Sequence, residues 1–441
     1  MAAMRVLVLG AGWVGKSVAE MLLTFSRGNY TVTLADREQG QLDAVTQSLR
    51  ERLSGSMKVD QVFATRAVDA SDKAQVREAL KGHDAVVCML PFNYVEGVAE
   101  AANELGVHYF DVTEDVETTE KVRAIDASGR AKVALVPQCG LAPGYIAIAA
   151  YELAKKLDKV HDLTLRVGAL PQYPTNQLKY NVTWSPAGVV NEYCEPCIVM
   201  LNGFDVKVPA LEGLERFSFE GVEYEAFYTS GGVGSLLETL VKEGRSGKNA
   251  NIAYKTIRYP GHCELMKFLL HDLRLSLEHA EPAGPRKTRF DRQLLVDLFE
   301  TSLPRTVEDV VVVFVNAIGE KSGKMVQRSF HRAVHAIELF GRTWTAIELT
   351  TAAGVCGMVD LHRLGKLPRK TGFIRQEECS LELFNSTVFG LGYEAPEKIE
   401  AATRSGVPRS GLLVETSEIR GGARSGRASR FALAGWPSVD P

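Results

Sequence analysis

The chain has 441 residues, 45% hydrophobic and 24% charged, with a formal net charge of −3; that length calls for two domains, and the balanced charge offers no field to attract nucleic acid or anionic lipid. No stretch reaches the roughly 18 to 20 uninterrupted apolar residues of a membrane span, and Met1 to Arg5 lead straight into an apolar strand, so a cytoplasmic protein with no membrane or nucleic-acid partner is expected. Seven cysteines, an odd number scattered along the chain, indicate reduced thiols and not a disulfide framework.

Residues 4 to 36 read MRVLVLGAGWVGKSVAEMLLTFSRGNYTVTLAD. An apolar run typical of a buried parallel strand is followed by Gly10, Gly12 and Gly15 in G-x-G-x-x-G, then an amphipathic helix, then a second strand ending in Asp36. In that context Gly10 permits a tight turn, Gly12 gives the backbone access to a pyrophosphate, and Gly15 allows close helix-to-sheet packing. The helix start presents free N–H groups and a positive dipole end to the phosphates. Trp13 and Val14, inside the motif, are counted with the cofactor contacts. Asp36 is placed to accept from the adenosine ribose hydroxyls and would repel a 2′-phosphate, so NAD is the expected cofactor; Arg37 beside it keeps NADP possible. The alternative for Asp36 is a solvated acid at a strand end.

Strand-like segments recur at 62–72, 84–93, 107–115 and 131–144 with helical stretches between them, the pattern of a doubly wound parallel sheet. Ligands bind at the carboxyl ends of such strands. That places Asp69 toward the adenine, unless it merely belongs to a helix cap. Leu90, Pro91 and Phe92 fall along the cofactor crevice, and Asp111, Thr113 and Glu114 near the nicotinamide. CGLAPGY closes the first domain, 1–145, and its Leu141 and the following helix start form a second clamp on cofactor or substrate. Cys139 in that stretch is read as packing, with a nucleophile as the lesser alternative.

From about residue 160 the texture becomes strand-rich, giving an α+β substrate and dimerisation domain over 146–349. The helical stretch after Trp344 is expected to return to the Rossmann domain and complete it over about 350–390. Residues 394–441, rich in Gly, Ser and Arg, read as a flexible tail. Cys194 and Cys197 form a C-x-x-C, but no second pair exists to complete a zinc site, so no metal is expected. In AYKTIRYPGHCELMKFLL, residues 253–270, an alternating strand breaks at Arg258 and a helix begins near His262.

The G-x-G-x-x-G, CGLAPG, VGALPQYPTNQLKYNVTWSPAGVVNEY, EYEAFYTSGG and YKTIRYPGH, in that order over about residues 4 to 380, resemble the saccharopine dehydrogenase family, which includes the lysine 6-dehydrogenases. The resemblance implies an NAD(P)-dependent dehydrogenase acting on the C–N bond of a small amino-acid substrate, and a homodimer or larger homo-oligomer. It implies that Thr256 and Arg258 hold the α-carboxylate, that Ser185 lies near the cofactor, and that Thr113 and Glu114 lie near both ligands. A guanidinium fork matches a carboxylate bidentately, which suits that role; the alternative is an arginine paired with a neighbouring protein acid.

Two departures from the family pattern bear on the substrate. Where glutamate-releasing members carry N-R-D-S, this chain has TSGGVGS at 229–235, and the acid of L-D-P-G is Ala142 here. Saccharopine has three carboxylates and lysine one, so loss of that arginine favours lysine, with a glutamate-forming saccharopine dehydrogenase as the alternative. A non-catalytic NAD(H) sensor is the more remote one. Amine oxidation needs a base to free the nitrogen lone pair, and the candidates are Glu114, Asp111 and His262.

Overall fold

The computed structural model describes residues 2–26, 28–278, 290–405 and 417–419. The first sheet takes up the apolar runs of the N-terminal third: β1 (Met4–Leu9), β2 (Tyr30–Asp36), β3 (Phe63–Ala67), β4 (Ala85–Cys88), β5 (His108–Asp111) and β6 (Ala134–Val136). The second takes β7 (Lys159–Pro171), β8 (Cys197–Leu201), β9 (Phe204–Val208), β10 (Glu215–Phe219), β11 (Val222–Tyr228), β12 (Ser246–Arg258), β13 (Asp309–Lys321) and β14 (Lys324–His335). A small hairpin of β15 (Ile337–Leu339) and β16 (Arg342–Trp344) follows, then β17 (Gly372–Phe373) and β18 (Ser417–Ile419).

The first sheet runs β17-β6-β5-β4-β1-β2-β3 and every pairing in it is parallel. Its central strands are buried on both faces, which is why they read as continuous apolar runs and not as alternations. One face packs under Val76, Val95, Val98 and Ala102; the other belongs to a core that continues without a break into the second sheet through Ile148, Leu165, Val313 and Trp344. Strand order reverses beside β1, and the glycine loop sits at that switch point.

The second sheet runs β10-β11-β12-β7-β13-β14-β18, with β8 and β9 branching from β12. The β12–β7 pair is parallel and every other pairing is antiparallel, so the sheet is largely antiparallel, as the sequence suggests, with one parallel seam at its centre.

The chain returns to the first domain through the helix Ala346–Arg363. Its start is doubly secured: Thr345 and Glu348 form a capping box, and the buried Asp309 carboxylate accepts from the amides of Ala346 at 2.5 Å and Ile347 at 3.0 Å. The helix lies against the helix Trp13–Phe25, and Tyr30 donates its hydroxyl to Asp360 at 2.6 Å. β17 then adds an edge strand beside β6.

The expected tail begins too early. Residues 394–405 are helical and packed: Glu394 pairs with Arg332 at 2.6 Å, and in the helix Ile399–Ser405 the buried Ile399 and Thr403 share one face, with Thr403 Oγ1 bonded to Phe25 O at 3.2 Å. The Gly, Ser and Arg run that suggested a tail starts beyond this helix, and all of it except 417–419 lies outside the described residues.

Candidate active site

The glycine motif is built as a cradle. A Cβ on Gly15 would sit 1.9 Å from Gly10 O, and one on Gly10 would sit 2.8 Å from Met89 O at a φ of +110°, so neither position accepts a side chain. Gly12, the N-cap of the helix Trp13–Phe25, has nothing within 4 Å of where its Cβ would be, and no side chain caps that helix. The donors at that helix start are therefore available to a phosphate. Asp36 Oδ2 accepts from the Ala11 amide at 2.6 Å and Oδ1 from the Glu38 amide at 3.0 Å, tying the glycine loop to the end of β2. Arg37 is exposed and pairs with Glu38 at 3.2 Å.

The remaining cofactor candidates divide. Val14 and Leu141 face a cavity between the domains, and Trp13 lies beneath the Arg305 guanidinium, 5.3 Å from the ring centroid. Leu90 is half-buried and Pro91, the N-cap of the helix Phe92–Leu105, is exposed along the crevice. Asp69 is exposed and accepts from the Ser71 amide and hydroxyl at 2.9 and 2.7 Å, contacts that hold its carboxyl below the usual range. Ser185 departs from expectation: it is exposed, does not line the cavity, and its Oγ accepts from the Gly188 amide at 3.2 Å as the cap of the helix Pro186–Cys194. The next residue inward, Trp184, is the one that reaches the cavity.

That cavity, about 160 Å³, is closed on the dinucleotide side by Val112, Glu114 and the segment Gly140 to Pro143, and on the other by Val167 and Ala169 of β7 and Tyr254, Thr256 and Arg258 of β12. Residues two apart on a strand share a face, so one side of β12 supplies three consecutive wall positions. Thr256 bonds hydroxyl to hydroxyl with Thr229 at 2.7 Å. Glu192, from the helix Pro186–Cys194, completes the polar lining; it lies within the VGALPQYPTNQLKYNVTWSPAGVVNEY stretch, where nothing in the sequence assigns it a role.

Arg258 is 2% exposed, and the ring centroids of Tyr180 and Tyr193 lie 5.3 and 5.8 Å from Cζ. Its Nε donates to the Tyr193 hydroxyl at 2.8 Å and Nη1 to Ile257 O at 3.0 Å. Nη2 has no protein acceptor among the described residues, and no acid there pairs with the guanidinium. A buried cation left incomplete on the side facing a cavity is poised for an anion.

His262 is withdrawn from the candidate bases. It is fully buried, does not line the cavity, and both ring nitrogens are engaged, Nδ1 with Leu178 O at 2.8 Å and Nε2 with the Tyr193 hydroxyl at 3.1 Å. Burial, with the Arg258 charge adding to it, pushes its pKa down to about 3, so it is neutral. With Nδ1–H donating to the carbonyl, Nε2 accepts from Tyr193, which leaves the tyrosine oxygen to accept from Arg258. Asp111 is withdrawn too: it is fully buried, does not line the cavity, and accepts through Oδ1 from the Gln138 and Thr113 amides at 3.0 and 2.9 Å, with burial raising its pKa to about 6. Thr113 serves the same turn, its hydroxyl accepting from the Asp115 amide at 3.2 Å, and it does not reach the cavity. Cys139 is a buried thiol bonded to the carbonyls of Asp111 and Val136, its pKa pushed well up by burial. Among the described residues no group of three or more His, Cys, Asp or Glu could hold a metal ion.

Glu114 remains as the base candidate on the dinucleotide side. Burial and then Asp115 raise its pKa to about 7, while Glu192 is raised to about 8 by burial and then by Glu114. The glycines of 229–235 lie directly behind: a Cβ on Gly231 would fall 2.7 Å from Glu114 O, and one on Gly232 would fall 2.2 Å from the Tyr254 ring. Beyond Tyr254 a second cavity of about 180 Å³ includes Arg123, which is already paired with Glu120 and Glu238 at 3.3 and 3.0 Å.

Residues 6–136 match the model of the saccharopine dehydrogenase NADP binding domain, and residues 140–387 that of the saccharopine dehydrogenase C-terminal domain. The chain belongs to the saccharopine dehydrogenase family. Similar relatives include the mitochondrial alpha-aminoadipic semialdehyde synthase of Rattus norvegicus, 30% identical over 338 residues, or 73% of this chain and 34% of that protein. The saccharopine dehydrogenase [NADP(+), L-glutamate-forming] of Schizosaccharomyces pombe is 25% identical over 191 residues, 42% of this chain and 39% of that protein. The matches thus span about a third of the length of these relatives. Among solved structures, the apo saccharopine dehydrogenase (L-Glu forming) of Saccharomyces cerevisiae superposes with a TM-score of 0.69 at 16% identity, covering 95% of this chain and all of that one. The homospermidine synthase of Legionella pneumophila in complex with NAD gives 0.58 at 12%, covering 88% and 89%. At such identities the saccharopine dehydrogenase family fold is what these two structures share with the chain.

Proposed function

We propose that the protein is an NAD-dependent amino-acid dehydrogenase that oxidises the C–N bond at the ε-carbon of lysine. The observation that carries this reading is the charge inventory of the cavity: one buried guanidinium with an open Nη2, and two carboxyls, those of Glu114 and Glu192, on the same lining. Lysine presents the complementary set, one carboxylate and two ammonium groups. The family membership supports the reaction class, and the preference for NAD rests on Asp36 at the end of β2.

The residues that would hold the cofactor are the glycine loop, the start of the helix Trp13–Phe25 and Asp36, with Val14 and Leu141 between it and the cavity. When bound, the nicotinamide supplies the acceptor for the hydride. The chain's own residues do the rest. Arg258 grips the α-carboxylate with a geometry fixed by Tyr193. Glu114 takes a proton from the ε-ammonium so that its lone pair is free as the adjacent carbon is oxidised; a carboxyl raised to about 7 is matched to that transfer near neutral pH. The apolar wall of Val112, Val167 and Ala169 limits water around the transfer.

A glutamate-forming saccharopine dehydrogenase is the competing reading, favoured by the names of the relatives. Against it stands the shortage of cations: Arg258 is the one arginine on the first cavity, and Arg123 on the second is occupied by protein acids. Following nicotinamide reduction by absorbance with lysine, saccharopine and other diamines, each with NAD and with NADP, decides between them. Reduction of NAD by lysine is the expected result; reduction by saccharopine alone overturns the assignment. Cofactor binding without reduction by any amine would indicate a sensor.

A further inference from the structure

Glu192 belongs to the VGALPQYPTNQLKYNVTWSPAGVVNEY stretch but is given no role by it, yet it lines the cavity, and its side chain makes no hydrogen bond or ion pair with the described protein. It arrives half-buried on the helix Pro186–Cys194, whose buried positions are Pro186, Val189, Val190 and Tyr193. An acid at the edge of an apolar face, with no protein partner, needs one from elsewhere. The groups around it come from several elements: Glu114 from the segment after β5, Arg258 and Tyr254 from β12, Tyr180 from the preceding loop, Tyr193 from its own helix and Cys197 from β8. Of these Arg258 is the one cation.

We propose that Glu192 is a specificity-determining residue that pairs with the α-ammonium group of the substrate, and that binding of a diamine displaces protons held between Glu192 and Glu114. The inference rests on the reading of lysine as substrate. An α-amino acid carries its carboxylate and ammonium on the same carbon. A carboxylate seated on Arg258 therefore brings the ammonium close to whichever acid neighbours that arginine. Glu192 feels the Arg258 charge, whereas Glu114 is shaped by its own burial and Asp115. Glu192 thus serves the α-nitrogen, and Glu114, on the dinucleotide side, is left for the ε-nitrogen.

The electrostatics agree with that division. Two carboxyls lining one small cavity disfavour double ionisation, and the pair titrates as a unit around neutrality, with values of about 7 and 8. Near pH 7 without substrate, the pair therefore holds at least one proton. Two ammonium groups reverse the balance, both carboxyls ionise, and the protons pass to the buffer. No bond to carbon changes in this step. Affinity for lysine accordingly rises as pH increases through 7 to 8.

Calorimetric titration of lysine into the protein carrying NADH, in two buffers of different ionisation enthalpy, reads the proton count directly. At pH 7 we expect release of about one proton or somewhat more per lysine from the parent protein and about half a proton or less from Glu192→Gln, in which only Glu114 remains to be discharged. Two analogues resolve the site: norleucine lacks the ε-ammonium, and 6-aminohexanoate lacks the α-ammonium. Glu192→Gln should weaken lysine and norleucine by about tenfold or more and 6-aminohexanoate by less than about threefold; Glu192→Asp, which keeps the charge, should restore most of the difference. Equal weakening of all three ligands, or no proton release by the parent protein on binding lysine, overturns the inference. Those outcomes leave the proposed function standing if the parent protein reduces NAD with lysine. Failure of that reduction, with another amine active instead, removes the premise separately.

Discussion

Arg258 donates through Nε to the hydroxyl of Tyr193, 2.8 Å away, and that hydroxyl in turn donates to Nε2 of His262, whose Nδ1 is spent on a backbone carbonyl. The guanidinium is thereby held with one terminal nitrogen turned to the cavity before any ligand arrives. Pre-orientation of this kind reduces the entropy a ligand must lose on binding.

Removing the fork should separate substrate from cofactor. Arg258→Ala is expected to raise KM for lysine by about 10- to 150-fold, the equivalent of roughly 1.5 to 3 kcal/mol for a charge-assisted pair, while KM for NAD stays within about threefold. Tyr193→Phe leaves the charge but frees the fork to rotate, so KM for lysine should rise by about three- to tenfold with kcat nearly unchanged. Steady-state kinetics check both, and an equal loss of NAD affinity would mean that Arg258 serves the cofactor.

Asp36 has two roles, since its Oδ2 already holds the Ala11 amide. Asp36→Ser should raise KM for NAD by about tenfold and improve the NADP to NAD ratio of kcat/KM, because the repulsion of a 2′-phosphate is gone and Arg37 lies next to the site. An unchanged ratio would assign Asp36 to the glycine loop alone.

Gly231 has a φ of +82° and touches the backbone of Glu114. Gly231→Ala adds a left-handed strain of about 1 kcal/mol and a methyl that must displace Glu114. We expect kcat to fall by about tenfold or more with a drop of a few degrees in Tm. Gly221→Ala, at a φ of +79° with open space around it, should lower Tm without the loss of kcat.

His362 lies with its ring centroid 3.9 Å from that of His108, and burial, then the neighbouring imidazole, push its pKa down to about 4. Folded and unfolded chains are both neutral at this position above about pH 6.5. Below it the unfolded chain takes up the proton and the folded one does not, so this contribution to stability is lost as pH falls from about 6.5 toward 4. His362→Asn should lose less stability than the parent between pH 7 and pH 5 in denaturant titrations.

The dinucleotide half was readable because its signals are local. Gly10, Gly12, Gly15 and Asp36 lie within one βαβ unit; a Cβ on Gly10 or Gly15 would collide with backbone, and Gly12 leaves open space at the helix start. Arg258 and Thr256 were singled out by likeness to a family, and both line the cavity. His262, Asp111 and Ser185 do not line it, because residue type and strand-end position say nothing of where a side chain turns, and each is engaged with backbone amides, carbonyls or a buried hydroxyl. Glu192 lies inside the VGALPQYPTNQLKYNVTWSPAGVVNEY stretch that carries the family likeness, but nothing there assigns it a role. Written between Asn191 and Tyr193 it looks like an ordinary helix-surface acid, and its place three residues after the buried Val189 is the local clue. The packed helix after Glu394 was obscured by the composition that follows it.

The pairing of Thr256 with Val167 across the parallel β12–β7 seam has a further implication. Since Val167 and Ala169 set the chamber's floor while Tyr254, Thr256 and Arg258 carry its grip, depth and anchoring are encoded on separate ribbons of one rigid fabric. Trading the two small side chains for larger or smaller ones would change the depth of the chamber, while the backbone of Ala169, whose carbonyl accepts from Arg258 Nη1 at 3.4 Å, keeps its contact with the anchor; depth can therefore vary across the seam without rebuilding the grip.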